Sequence, residues 1–136
     1  MAGFSQASSI AAYRSIATHG SAVEADPHQL ISLLMDGALE RLIAAKGGIE
    51  RGEIVEKAAL LQRVGAIIEE LRSSLDHSAG GELSGNLERL YDYMMRRVLA
   101  ANLHNDVKAV EEVVRLLREI RNAWAAIPPE ARKQRK

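Results

Sequence analysis

The sequence predicts an all-α protein: an antiparallel up-and-down four-helix bundle, preceded by a flexible N-terminal arm or short capping helix. Three observations carry this expectation. Between Pro27 and Ile127, apolar residues recur in steps of three and four along four long stretches. Only short Gly, Asn or Asp punctuation separates the stretches. Hydrophobic residues make up 47% of the chain but aromatic ones only 4%, an aliphatic composition that suits helices better than sheets. Each stretch needs a partner for its apolar stripe, and four antiparallel helices supply partners to one another.

Residues 1–25 are small and polar and read as an N-terminal arm or cap. Within them Ile10, Tyr13 and Ile16 have helical spacing, enough for about two turns that dock on an apolar surface. The bundle is expected over 26–127. Asp26 is placed to cap the first helix, Pro27 stands at the first helical position, and Gln29 completes a capping box. The first stripe is Ile31, Met35, Ala38, Leu42, Ala45 and Ile49, widened by Leu30, Leu34 and Leu39, and Gly52 ends it. The second helix opens with Glu53 and Glu56, favourably placed against the helix dipole. Its stripe is Leu60, Val64, Ile67, Leu71 and Leu75, with Ile54, Ala58, Leu61 and Ile68 alongside.

Gly80-Gly81 is expected to stop the chain before the third helix. That helix carries Leu83, Leu87, Leu90, Met94, Val98 and Ala101, with Tyr91 and Met95 on its flank. Asn105 is expected to cap the fourth helix, whose stripe is Val110, Val113, Leu117, Ile120, Trp124 and Ile127. Pro128-Pro129 forbids continuation, and 128–136 reads as a basic tail. Short connections make neighbouring helices antiparallel, and the seven-residue spacing favours crossings of roughly 20°.

The composition narrows the possible functions. Lys plus Arg and Asp plus Glu both total 18, so no strong field draws the chain to nucleic acid. There is no cysteine, which removes disulfide and thiolate chemistry. The apolar runs fall far short of the roughly 20 residues a membrane span requires. No signal peptide is evident, so the cytoplasm is the expected location. A di-iron bundle needs Glu-x-x-His pairs, and the chain has none. Phosphate loops and nucleophile elbows are also missing. The expectation is a non-enzyme without metal or cofactor that works through its surface.

Two features do not fit a plain bundle. Gly37 sits mid-helix, where glycine costs about 1 kcal/mol relative to alanine, and Gly65 and Gly85 repeat that cost. Close helix packing and close approach by a partner account for Gly37 equally well. The stripes are also wider than a two-in-seven seam. The surplus either thickens the core or leaves a groove for an amphipathic partner, which the arm around Tyr13 and Ile16 would shield. The two tyrosines of Leu90-Tyr-Asp-Tyr-Met94 point to different faces, so at least one is expected to be accessible.

Certain runs of residues together resemble the flagellar secretion chaperone family (FliS). They are Tyr13, Asp26-Pro-His-Gln-Leu-Ile-x-Leu-Leu-Met-Asp-Gly-Ala-Leu39, Glu69-Glu-Leu-x-x-x-Leu-Asp76 and Gly80-Gly-Glu-Leu. Further along come Asn86-Leu-x-x-Leu-Tyr-Asp-Tyr-Met94, Ala101-Asn102, Asp106 and Leu117-Arg-Glu-Ile-Arg-x-Ala-Trp124. They cover nearly the whole chain. The resemblance implies a cytosolic export chaperone that binds the disordered C-terminal region of flagellin, prevents premature polymerisation and assists delivery to the flagellar type III secretion apparatus. Export components and a co-chaperone are further implied partners. On this basis Ile10, Tyr13, Ile16, Met35, Asp36, Gly37, Asn86, Tyr91, Tyr93 and Asn102 are candidates for the flagellin-binding surface or its cap. Two departures stand out. Met35 replaces the usual family tyrosine and loses its hydroxyl, and an Asn common after the arm tyrosine is missing. The alternative reading is a homo-oligomeric structural or regulatory bundle, a homodimer for instance, in which the surplus apolar stripe pairs with another copy.

Overall fold

The computed structural model describes residues 26–128, so the arm with Ile10, Tyr13 and Ile16, and the tail beyond Pro128, lie outside the described residues. Four helices follow in order: α1 (Pro27–Arg51), α2 (Ile54–Ser73), α3 (His77–His104) and α4 (Val107–Ala125). Consecutive helices pack on each other and α1 packs on α4, closing a four-membered ring. Cross-helix contacts set the direction of α2 against α3 and of α1 against α4, and the short connections set the rest. Lys57 meets Asn102 and Arg72 meets Asp92, while Asp36 meets Arg121 and Lys46 meets Glu111. In each pair the numbers run in opposite senses, so the helices are antiparallel. Among the described residues there is no strand.

Local chemistry sets the element ends. The Asp26 carboxylate accepts from Gln29 N–H at 2.7 Å and Pro27 occupies the first turn. Gly52 (φ 73°) terminates α1 in the left-handed region, which glycine enters without a Cβ clash. In the second connection the expected break is displaced. Helical structure already begins at His77, and Gly81 (φ 54°, ψ −124°) interrupts it from within. Gly80 is required on steric grounds, because a Cβ there would overlap Ser84 Oγ. That hydroxyl is buried and donates to Asp76 O at 3.0 Å.

In the third connection the cap of α4 falls one residue later than the expected Asn105. Asn105 (φ 53°) is the left-handed residue that closes α3, and Asp106 caps α4, accepting from Lys108 N–H and Ala109 N–H. An asparagine tolerates that backbone region, while the carboxylate that follows accepts from the first-turn amides of α4. α4 stops at Ala125, just short of the expected Ile127.

The core is aliphatic. Leu34, Met35, Ala38, Leu42 and Ala45 of α1 meet Leu61, Val64, Ile67, Ile68 and Leu71 of α2, with Met94, Val98, Val110, Val113 and Leu117 completing it. Two expectations change on α3. Tyr91, expected on the flank, lies in the core at 2% exposure, whereas Leu83, expected on the stripe, is 65% exposed. The buried line runs Ser84, Tyr91, Met94, Val98, Ala101, so the inward phase passes through Tyr91 and leaves Leu83 one residue out of step.

His28, in the first turn of α1, is buried at the bundle end. Its ring stacks on Trp124 with centroids 4.6 Å apart and planes within 9°. His28 Nε2–H donates to Trp124 O at 2.7 Å, and Trp124 Nε1–H donates back to His28 O at 2.9 Å. A carbonyl can only accept, which places a proton on Nε2. This reciprocal latch ties the start of α1 to the end of α4.

The latch should behave as one unit in urea denaturation. Trp124→Phe removes one donor and is expected to cost about 1 kcal/mol. His28→Ala also removes the stacked ring and should cost about 2 kcal/mol. The double variant is expected to fall short of the sum of the two, and strict additivity would show that the two groups act independently.

Candidate functional site

The four helix pairings differ in what fills the cleft between neighbours. The α1/α2 contact is tight: a Cβ on Gly48 would lie 3.3 Å from Lys57 Cβ. The α1/α4 contact is crossed by Asp36–Arg121 (2.8 Å) and Lys46–Glu111 (3.0 Å). On the α3/α4 contact a polar clasp forms, with Tyr93 Oη–H and Arg97 Nε–H donating to Glu112 at 2.6 and 2.7 Å. The two donors, the phenol first, hold the Glu112 carboxyl below its ordinary range, and the same bond raises the Tyr93 phenol. Arg96 lies over the Tyr93 ring at 5.9 Å.

The α2/α3 contact is built differently. Polar clamps hold its two ends: Lys57 Nζ donates to Asn102 O and Oδ1 at 2.9 and 2.8 Å, and Arg72 donates to Asp92 at 3.1 Å. On α3 the residues between the clamps follow at helical spacing: Asp92, Met95, Leu99, Asn102. On α2 the matching line is Ala58, Gly65, Arg72, each seven residues apart. Leu99 is 59% exposed, Leu103 69%, Ile54 44% and Val55 80%. Leu99 therefore stands open between the clamps, and Leu103, Ile54 and Val55 stand open on the turns of α3 and α2 beyond the lower one. The distance from Lys57 to Arg72 along α2 is roughly 22 Å at 1.5 Å per residue, about four turns of a docked helix.

Lys57 is 2% exposed, an unusual place for an ammonium. The partners explain it. Asn102 O belongs to the last turn of α3, where carbonyls lack intrahelical donors and the dipole is negative. Lys57 thus caps α3 from a neighbouring helix. Among the described residues, no buried side-chain polar atom is left without a partner.

The sequence candidates scatter over this frame. Met35, Gly37 and Tyr91 are buried in the bundle. Asp36 pairs with Arg121, Asn86 accepts from Arg89 on an exposed face, Tyr93 joins the α3/α4 clasp, and Asn102 lies at the foot of the α2/α3 seam. Asn102 alone of these lines the open seam. Leu99, Leu103, Ile54 and Val55 were not singled out as site residues, though Leu99 and Leu103 fall outside the third stripe and so carried a signal. Among the described residues, no cluster of His, Cys, Asp and Glu suits a metal, and no helix is long and apolar enough to cross a membrane.

A sequence model of the flagellar protein FliS family matches residues 9–131. The flagellar secretion chaperone FliS of Salmonella typhimurium is 45% identical over 126 residues, covering 92% of this chain and 93% of the relative. The flagellar secretion chaperone FliSB of Pseudomonas aeruginosa is 45% identical over 115 residues, covering 85% and 91%. FliS of Bacillus subtilis is 33% identical over 111 residues, covering 82% of each chain.

Asn102→Ala strips one oxygen from a buried ammonium and is expected to cost about 2 kcal/mol in denaturant melts. Adding Lys57→Met removes the stranded charge and should recover part of that loss; a further loss instead would show that the charge is not what makes the single variant costly. Burial pushes the Tyr91 phenol up to about 12. The unfolded chain then ionises first, so this contribution is intact below pH 10 and is lost as pH rises from about 10 to 12. Tyrosinate absorbance should show a late-titrating phenol that Tyr91→Phe removes.

Proposed function

This chain belongs to the flagellar protein FliS family, and on that premise we propose that it is a cytosolic export chaperone. It binds the disordered C-terminal region of flagellin, prevents premature polymerisation and assists delivery to the flagellar type III secretion apparatus. The observation that carries the reading is the α2/α3 seam, where Leu99, Leu103, Ile54 and Val55 stand exposed between and beside two polar clamps. Proteins seldom leave such a line of large apolar groups open unless something covers it.

The physics favours a disordered, amphipathic client. A helix laid in the seam buries its apolar face against Leu99 and Met95 while its outer face stays wet. Full burial of a large aliphatic side chain is worth about 1.5–3 kcal/mol, and these four are already part-covered, so the seam supplies roughly 4 kcal/mol. Ordering a flexible segment costs about 2–5 kcal/mol. The two nearly cancel, so useful affinity requires the client to continue beyond the seam onto further apolar surface. The N-terminal arm, through Ile10, Tyr13 and Ile16, competes for that surface and leaves as the client arrives. Met35, Gly37 and Tyr91 then act by shaping the bundle, and Asn102 by holding the seam's lower clamp. A co-chaperone or export component would use a face the client leaves free.

Leu99→Glu and Leu103→Glu place charges where the client would sit, on positions already exposed. The melting temperature should stay within about 2 °C, since surface changes cost little. Calorimetric titration with a flagellin C-terminal peptide should show at least about a tenfold loss of affinity. Unchanged affinity in both variants would remove the seam from the function. Light scattering should show a one-to-one complex with that peptide, and a stable dimer indifferent to it would support the homo-oligomeric alternative.

A further inference from the structure

We propose that the basic segment 130–136 docks on the first turns of α3, crossing the bundle end from the end of α4 to the acidic α2–α3 corner. The proposal does not depend on what the α2/α3 seam receives.

The chain is neutral as a whole, but its charge is unevenly spread. Between residues 66 and 92 stand Glu69, Glu70, Asp76, Glu82, Glu88 and Asp92, against Arg72 and Arg89 alone. Arg72 is taken by Glu69 and Asp92, and Arg89 donates to Asn86. Glu82 pairs with no base among the described residues, and Glu88 faces the His77 ring at 3.5 Å, which is charged only when protonated. The opposite imbalance follows Pro128-Pro129, where Arg132, Lys133, Arg135 and Lys136 outnumber Glu130.

The α3/α4 clasp fixes where this segment starts. Tyr93 and Arg97 meet Glu112, and α4 ends at Ala125, thirteen residues further on. Thirteen residues back from Tyr93 and Arg97 along antiparallel α3 are Gly80 and Ser84, so α4 ends level with Glu82 and Leu83. Leu83 stands fourteen residues before Arg97 and Glu82 eleven before Tyr93, four turns and three, so both lie on the side of α3 turned to α4. Leu83 is 65% exposed there, where no further turn of α4 covers it. Glu88 lies one turn before Asp92 on the side turned to α2, just above the last residue of α2, Ser73.

An extended chain from Pro128 to Arg132 spans up to about 14 Å, and packed helix axes lie about 8–10 Å apart. Arg132 and Lys133 therefore reach Glu82, and Arg135 and Lys136 pass over α3 to Glu88. The proline pair turns the chain out of the path of α4 and so toward this face. A single exposed ion pair contributes little. Four bases on one segment act together, because the covalent link keeps them at high effective concentration beside the acids.

The test uses the full chain, which has no cysteine, so Gln134→Cys gives one site for a nitroxide label. Line broadening of backbone amides by the label is read by NMR. Broadening is expected at Glu82, Leu83 and Glu88 and not at Val55 or Leu103. It should fade at Glu88 as salt rises from 0.1 to 1 M, where the screening length falls from about 10 to about 3 Å. Reversing the segment (Arg132→Glu, Lys133→Glu, Arg135→Glu, Lys136→Glu) should abolish the broadening at Glu88, and adding Glu82→Lys and Glu88→Lys should restore it. Equal broadening at Glu88 with the natural and the reversed segment would show a passive tether and overturn the proposal. So would the absence of broadening at Glu88 in the natural segment. Broadening of unlabelled isotopic copies mixed with labelled ones, at the strength seen within one chain, would assign the segment to a second copy and overturn docking on its own bundle.

Discussion

Closure of the ring depends on α1 packing against α4, the one pairing that no short turn enforces. α1/α2, α2/α3 and α3/α4 are each joined by two or three residues, so their contact follows almost from connectivity. The first and last helices are some 80 residues apart in sequence and must find each other through their side chains, against the entropy of closing that loop. The structure places its most specific contacts there: the reciprocal His28–Trp124 latch at one end, then Asp36–Arg121, then Lys46–Glu111. The ion pairs are part-exposed and worth little individually, so they fix register more than stability. The stabilisation comes from the aliphatic core they align, from Leu34 and Leu42 across to Val113 and Leu117.

Once the ring is closed, the seams are free to differ, and that difference is what the protein has to offer a partner. Two seams are crossed by polar bridges near their middles, and a third has glycine-backed tight packing. The α2/α3 seam has its polar contacts moved to the ends, leaving apolar wall between them. The placement of Lys57 shows the cost of this arrangement. To anchor the foot of the seam, an ammonium is taken out of water and satisfied by the last-turn carbonyl and amide of Asn102. The helix dipole offsets part of the desolvation.

Much of the frame was legible in the sequence because its signals are local. Asp26-Pro27 and Gly52 act through their own backbone neighbours, and the seven-residue spacing forces helices that pack lengthwise. What was not legible depends on distant partners or on a choice between adjacent apolar residues. Leu90 and Tyr91 are both able to face inward, and only packing against the other helices selects Tyr91 and expels Leu83. Nothing near His28 in sequence shows that Trp124, 96 positions later, covers it. Asn105 and Asp106 are both good caps, and the left-handed turn decides which closes and which opens. The site was harder still. Most of the residues chosen by family motif turned inward or joined polar clasps, because motifs of this kind preserve a fold as readily as a surface. The surplus apolar positions outside the stripes, Leu99 and Leu103, carried the surface signal.

A chaperone that releases its client must not be completed by it. This bundle meets that condition: its core is closed, and among the described residues its buried polar side chains are satisfied, before any client is present. The ordering cost of complex formation then falls on the client, which keeps the net affinity well below the gross contact energy. Had the bundle needed the client to bury Leu71 or Met94, binding would be coupled to folding of the chaperone itself, and release would mean unfolding it. Instead Leu99, Leu103, Ile54 and Val55 stand outside a finished core, on helices packed around it. On the proposed reading the seat is pre-formed and its hold modest, so a flexible guest enters and leaves without disturbing the fold that presents it.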